Sequence, residues 1–305
     1  MRYRSLGVGG PEVSVVGLGC NNFGRRNDEP AARAVVDAAL DVGVTLFDTA
    51  DVYGDGDSER FLGAALGTRR DDVVVATKFG GRMEGRGGGS AAHVRRAVEA
   101  SLERLGTDRI DLYQYHSPDG VTPIEETLAA LDELVRAGKV RYVGSSNFSP
   151  EQVDEADRIA RERGWARFVS AQNEYSLLNR EAEAELLPTC ERLGIGVLPY
   201  FPLASGLLTG KYRRGEPPPE GTRLAGNPGR LTDEAFDRVE ALEHYASERG
   251  RTLLEVAIGV LAARPPVASV IAGATKPEQV RANAAAGEWE PASEDLAALS
   301  AALGA

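Results

Sequence analysis

Several things are scarce in this 305-residue chain. It has two cysteines, Cys20 and Cys190, far apart in sequence. They offer no disulfide framework and no metal-ligand spacing, which suits a reducing cytoplasm. No uninterrupted apolar run is long enough to cross a bilayer, and the opening stretch MRYRSLGVGGPEVSVVGLG has no apolar signal-peptide core. Positive charge is in deficit: the formal net charge is −11. A nucleic-acid partner usually calls for a basic footprint, so none is expected. An anionic ligand here must be held by local cations against an acidic background.

What is present is an ordinary globular composition, 42% hydrophobic and 27% charged. The length suits one large domain spanning residues 1–305. Two short alternating stretches around Gly7–Gly10 read as a hairpin. A rhythm of short β-branched runs and longer helical patterns follows. The strand candidates are Val15–Leu18, Thr45–Asp48, Val73–Thr77, Asp111–Tyr115, Val140–Gly144, Val169–Gln172, Ile195–Pro199 and Ala268–Ile271. Between the first two, Ala32, Val35, Val36, Ala39 and Leu40 fall at helical spacing, with Gly43 as a stop. Helix starts are signalled at Thr122-Pro123-Ile124-Glu125, Ser149-Pro150-Glu151-Gln152, Thr252 with Glu255, and Thr275 with Glu278. Eight βα units are what a closed (β/α)₈ barrel, typically about 250 residues, requires. The rival doubly wound sheet carries G-x-G-x-x-G after its first strand; Gly17-Leu18-Gly19-Cys20-Asn21-Asn22 lacks the third glycine. Two long segments, Gly80–Gly89 and Ala204–Leu231, follow strands and belong on the C-terminal face, where barrel active sites sit.

Polar residues cluster at three successive strand ends: Asp48 and Tyr53 after the second, Lys78 at the third, His116 at the fourth. Taken singly, each has a plainer reading: a solvated lysine, a structural histidine, a half-buried tyrosine, a turn-capping aspartate. Together they suit carbonyl reduction. Hydride addition to C=O makes an alkoxide that needs a proton. Tyrosine, with a pKa near ~10, gives that proton more readily when a cation such as Lys78 stabilises the phenolate. Asp48 would anchor the lysine, and His116 would bond the carbonyl oxygen.

The strings FDTADVYGDGDSE (Phe47–Glu59) and SLERLGTDRIDLYQYH (Ser101–His116) closely resemble the two aldo-keto reductase signatures. GLGCNNFG, VGSSNFS, AQNEYS, YFPLASGLLTGKY and IAGATKPEQVRAN are similar to the same family, so the resemblance covers essentially the whole chain and lies near the branch of potassium-channel β-subunits. It implies a (β/α)₈ barrel with an N-terminal hairpin, a catalytic tetrad of Asp48, Tyr53, Lys78 and His116, and NADPH as cofactor in preference to NADH. It also implies that Ser145 or Ser146, with Asn147 and Gln172, holds the carboxamide while Tyr200 stacks on the nicotinamide. Gly19, Cys20, Asn21 and Asp48 would lie near that ring. Leu203, Ser205, Gly206, Leu208, Lys211 and Arg223 would receive the pyrophosphate, and Gly273, Thr275, Gln279 and Asn283 the adenosine end. Thr275 is expected to cap the last helix, whose N-terminus favours a 2′-phosphate. Many members have arginine at Gln279, and Ala282 replaces a glutamate common in the channel-subunit branch. Cys20 stands where threonine is common, and Phe201 replaces a frequent serine. Phe23, Tyr53, Phe79, His116 and Phe201 are the expected substrate pocket. No metal is expected. The activity implied is reduction of a small aldehyde or ketone, with a slow-turnover redox-sensing subunit or an alcohol dehydrogenase as alternatives; the oligomeric state stays open.

Overall fold

A computed structural model describes residues 1–81, 88–226 and 228–302, the side chains of 301 and 302 excepted. Most of the Gly80–Gly89 segment and position 227 of the Ala204–Leu231 segment therefore lie outside the described residues.

The chain opens with an antiparallel hairpin, β1 (Tyr3–Ser5) and β2 (Glu12–Ser14). Eight parallel strands follow: β3 (Val16–Gly19), β4 (Leu46–Asp48), β5 (Val74–Phe79), β6 (Ile110–Tyr115), β7 (Val140–Ser146), β8 (Phe168–Gln172), β9 (Gly196–Val197) and β10 (Val270–Gly273). They run side by side in chain order, with β10 returning to pair with β3, Val270 opposite Val16. Backbone bonds close the ring on the remaining side: Val197 N–H to Pro266 O, Ala268 N–H to Val197 O and Ile271 N–H to Pro199 O, each 3.0 Å. The architecture is the (β/α)₈ barrel that the eight periodic runs predict. Of the expected strands, the last is displaced most, by two residues at each end, and β9 is the shortest, making only two ladder pairs before its chain turns to meet β10.

The helices are α1 (Glu29–Asp41), α2 (Asp57–Leu66), α3 (Ala91–Leu105), α4 (Ile124–Arg136), α5 (Pro150–Arg163), α6 (Leu186–Leu193), α7 (Asp233–Glu248), α8 (Leu253–Ala262), α9 (Pro277–Ala286) and α10 (Ser293–Ala302). Two starts follow the sequence signals fully: Ser149 with Gln152 and Thr252 with Glu255 form reciprocal capping boxes. Two are displaced by one residue. At α4 the cap position falls on Pro123, and Thr122 gives its hydroxyl to Asp119 (2.7 Å) instead. Asp119 also accepts from the backbone of Val121 and Thr122, a local turn that outcompetes the helix cap. At α9, Pro277 occupies the first turn and holds Lys276 in extended backbone as the cap residue. Thr275 then precedes the helix, and Gln279 rather than Glu278 reaches back to its N–H (2.8 Å).

Alternation along the strands sorts the residues. Leu46, Ala76 and Leu112 pack inside the barrel with Leu198, Ala268 and Ile271, and the hairpin's Leu6 and Val13 join them, so the hairpin closes one mouth. Gly7 permits this approach: at φ 71° its backbone lies against the Val169 and Gly194 carbonyls, where a Cβ would collide. Two residues further along the same faces stand Asp48, Lys78 and Gln114, at the opposite mouth. Phe47, Val75, Tyr113, Ala171 and Val197 point the other way, into the layer packed under the helices.

Candidate active site

Asp48, Lys78 and Gln114 are almost fully buried. A charged pair in such a place is tolerable only when its bonding capacity is used. It is: the Lys78 ammonium donates to Asp48 Oδ2 (2.7 Å), the Thr49 carbonyl (2.8 Å) and the Tyr53 hydroxyl (3.5 Å). The other Asp48 oxygen accepts from the Gln172 amide (2.8 Å) and the Gln114 amide (3.3 Å). Tyr53 begins the short turn Tyr53–Gly56 after β4. Gly54, at φ 58°, packs directly against the Phe23 carbonyl and Gly24, which holds the turn over the barrel mouth.

Burial raises the Tyr53 hydroxyl above the ordinary tyrosine range, and Lys78 pulls it back only in part. The expectation that Lys78 brings the Tyr53 pKa down is corrected: desolvation is the larger influence, so the phenol is held protonated. Burial works against the Lys78 charge, but Asp48 and Tyr53 outweigh it and leave the ammonium above its usual range. His116 follows β6, and its ring meets Tyr53 edge-on at 5.9 Å. Burial, aided by Lys78, lowers its pKa to about 3, so the imidazole is neutral; its Nδ1 is buried without a partner among the described residues. Behind the tetrad, burial and then Glu59 raise Asp51 to about 7, against the pull of Arg104, the Val52 N–H and Lys78.

These groups floor a cleft of about 560 Å³, a volume ordinary for small-ligand sites. Asp48, Tyr53 and His116 line it, while Lys78 lies just beneath. From the expected nicotinamide end, Gly19, Asn21, Ser146, Asn147, Gln172 and Tyr200 line it too. Both serines are buried; Ser146 lines the cleft, and Ser145, which does not, gives its hydroxyl to the Ser170 carbonyl (3.4 Å). Cys20 is buried beneath the wall, its thiol pushed well up by burial and then by Asp48. Asn147 sits at φ 59° and ties two strand tips together, donating to the His116 carbonyl (2.9 Å) and accepting from the Tyr200 hydroxyl (2.8 Å). Of the expected pyrophosphate group, Leu203, Ser205, Gly206, Lys211 and Arg223 line the cleft; Leu208 is buried away from it. Gly273, Thr275, Gln279 and Asn283 form the far end.

In the expected substrate pocket, Tyr53, His116 and Phe201 line the cleft. Phe23 and Phe79 do not; both are fully buried. Phe79 follows Lys78 by one residue, so alternation turns it outward, where it stacks on Tyr115 at 5.1 Å. Sequence reasoning also passed over Gln114, Asn22, Arg25 and Arg26. Gln114 carries a legible signal, an amide two residues before His116 on the inward face of its strand. Arg25 and Arg26 directly follow the GLGCNNFG string at a strand tip.

The donor set fits a nicotinamide dinucleotide. Amides and a hydroxyl surround an aromatic at one end, and cations stand at the middle. At Gly206 (φ 96°) a Cβ would stand 2.7 Å from the Lys211 ammonium, so the glycine lets that cation lie close against the backbone of the cleft wall. Among the described residues no cluster of three or more histidine, cysteine, aspartate or glutamate side chains is placed to hold a metal. None of their helices is long and apolar enough to cross a membrane.

The model of the aldo/keto reductase family matches residues 15–303. The chain belongs to that family. It is 38% identical over 295 residues to a probable voltage-gated potassium channel subunit beta of rice, Oryza sativa subsp. japonica, covering 93% of this chain and 90% of that protein. It is 39% identical over 295 residues to the uncharacterized oxidoreductase YrpG of Bacillus subtilis, covering 92% and 89%. It is 35% identical over 301 residues to the L-glyceraldehyde 3-phosphate reductase of Escherichia coli K12, covering 93% and 86%. As an aldo/keto reductase with such relatives, it is an oxidoreductase.

Proposed function

We propose that this aldo/keto reductase uses NADPH in preference to NADH to reduce a small aldehyde or ketone, with Tyr53 as the proton donor. The observation that carries the reading is the contact of the Lys78 ammonium with both Asp48 and the Tyr53 hydroxyl at the floor of the cleft. When bound, the nicotinamide supplies a hydride to the carbonyl carbon. Tyr53, held protonated by burial, gives its proton to the carbonyl oxygen, and Lys78 stabilises the phenolate that remains. Asp48 fixes Lys78, and Gln172 and Gln114 fix Asp48. Neutral His116 donates a hydrogen bond to the carbonyl oxygen and sets its angle. The same groups serve alcohol oxidation in reverse.

Ser146, Asn147 and Gln172 hold the carboxamide and Tyr200 the ring face. Gln172 spends its amide N–H on Asp48, leaving its carbonyl oxygen for the carboxamide N–H. Lys211 and Arg223 meet the pyrophosphate; Thr275, Gln279 and Asn283 meet the adenosine end. A single domain over residues 1–305 carries the reaction, and the protein works in the cytoplasm. A small aldehyde is in keeping with the substrate named for the Escherichia coli relative. The likeness to plant channel β-subunits favours a second reading, a cofactor-binding subunit with slow turnover.

The test is loss of reduced-nicotinamide absorbance with purified protein, NADPH and NADH being offered separately against aromatic aldehydes, dicarbonyls and aldoses. Steady NADPH oxidation is expected. Tyr53→Phe should lower kcat by about 10²–10⁴-fold with NADPH affinity nearly unchanged. A variant as fast as the parent would remove Tyr53 as the acid. Tight NADPH binding without turnover of any carbonyl would move the assignment to the regulatory reading.

A further inference from the structure

The cleft is lined by positive charge that no carboxylate among the described residues neutralises. Elsewhere on this acidic chain many surface arginines meet carboxylates, as Arg95 meets Glu133 (2.6 Å) and Arg158 meets Glu162 (2.7 Å). Arg25, Arg26 and Arg223 line the cleft, and no carboxylate among the described residues pairs with any of them. Arg26 donates to the Gly221 carbonyl, and Arg223 to the Asn22 amide oxygen (3.2 Å). The exposed Arg25 side chain has no hydrogen-bond or ion-pair partner among the described residues. Burial lowers the Arg223 pKa, and Arg26 and then Arg230, itself 3.6 Å from Glu174, lower it further against the opposing pull of Tyr212 and Tyr53. An anion entering the cleft relieves that repulsion.

Placement separates Arg25 from the cations already given to the pyrophosphate. Its turn packs on the Tyr53 turn: Gly24 Cα lies 2.9 Å from where a Cβ on Gly54 would stand. Arg25 is one residue from that contact on its own chain segment, and Tyr53 is one residue from it on the other. Its backbone therefore stands beside the turn that carries Tyr53, and its side chain lines the same cleft. Among the other residues lining the cleft is Phe201, held at φ 52°, a backbone state that a bulky residue rarely adopts. The Arg223 and Arg230 guanidiniums lie 5.4 Å and 5.9 Å from the centre of its ring. Strain of this kind is retained where a site needs it.

We propose that the carbonyl substrate carries an oxyanion, a carboxylate or a phosphate ester, received by Arg25. The inference rests on the reductase reading and narrows its substrate class. An oxyanion paired with a guanidinium gains two parallel, charge-assisted hydrogen bonds that a neutral group of the same size does not.

Matched aldehydes test it: succinic semialdehyde against butanal, and glyceraldehyde 3-phosphate against glyceraldehyde, each with saturating NADPH. The anionic member of each pair should have the higher kcat/KM by at least about tenfold. Its advantage should fall with added salt, while the neutral member stays flat. Arg25→Gln should raise KM for the anionic member, leave its kcat, and change neither the neutral member's kcat/KM nor the NADPH dissociation constant by more than about twofold. Arg25→Lys should restore part of the selectivity, since it keeps the charge and loses the fork. Equal turnover of both members by the parent, equal losses in the variant, or weakened NADPH binding in its place would each overturn the proposal, the last returning Arg25 to the cofactor. Calorimetric titration of the NADP⁺-saturated protein with succinate separates the two readings. Binding that Arg25→Gln abolishes, in a protein that reduces none of the aldehydes, would keep the anion site and remove the reductase reading. No binding, beside steady butanal reduction without anion preference, would do the reverse.

Discussion

Asp51 is a carboxyl in an expensive place. Its backbone N–H donates to the Lys78 carbonyl (3.2 Å), its Oδ1 is buried without a partner among the described residues, and burial pushes its pKa up to about 7. Between about pH 4 and 7 the folded protein keeps a proton that the unfolded chain has lost. Stability must therefore fall as pH rises through that window and level off above it. Asp51→Asn removes the dependence, because the amide matches the acid in shape and never ionises. The variant should be more stable than the parent at pH 8, on the order of 2 kcal/mol, with the gain vanishing near pH 4. Denaturant midpoints of both proteins at pH 4.5 and pH 8 measure it; a gain of equal size at both pH values would show that the charge is not responsible. The sequence made Tyr53, Lys78 and Asp48 legible as a set, because their chemistry is complementary at adjacent strand tips. It left Asp51 unread, since a string of letters shows which groups can ionise and not how deeply each is buried. For the same reason the expected direction of the Tyr53 pKa was wrong.

At the scale of elements, alternation within strands was the most informative signal and also the one most easily lost. It puts Asp48, Lys78 and Gln114 on the inner face, and shifting attention by one letter, from Lys78 to Phe79, exchanges the cleft for the layer beneath the helices. Helix starts were legible where one side chain and one backbone group settle the cap, as at Ser149 and Thr252. They slipped at Thr122 and Thr275, where Asp119 and Pro277 offered a stronger local arrangement. One tie among elements has no sequence signature. Glu59 of α2, fully buried, accepts from Thr77 of β5 (2.6 Å) and from Arg104 of α3 (2.6 Å). Arg104→Met would leave Glu59 charged and unpaired in the interior, at a cost of about 3 kcal/mol. Glu59→Gln together with Arg104→Met should recover part of that loss, because the uncompensated charge is gone. Urea midpoints of the parent, single and double variants decide it; a single variant within about 0.5 kcal/mol of the parent would mean that Glu59 finds another counter-charge.

For the whole molecule, counting eight periodic runs was enough to name the barrel, yet its closure was out of reach. Val16 meets Val270, and the β9 segment meets residues 266–271, through backbone bonds that no local pattern encodes. The proposed cofactor groove straddles that seam: Leu203–Lys211 follows β9, while Gly273–Asn283 follows β10. A dinucleotide bound along it bridges both segments and exists only on the folded barrel. At a hundred times its dissociation constant such a ligand adds about 2.7 kcal/mol. For a chain of this size each kcal/mol moves Tm by roughly 2–4 °C, so NADPH should raise it by several degrees. The far end of the groove, with Thr275, Gln279 and Asn283, is where the 2′-phosphate should make the difference. NADH at the same concentration should accordingly give a clearly smaller rise, and Gln279→Ala should bring the NADPH shift down toward that of NADH. Thermal unfolding with each cofactor in turn is the measurement. Equal shifts from NADPH and NADH would mean that Gln279 does not read the phosphate, and that the protein is indifferent between the two.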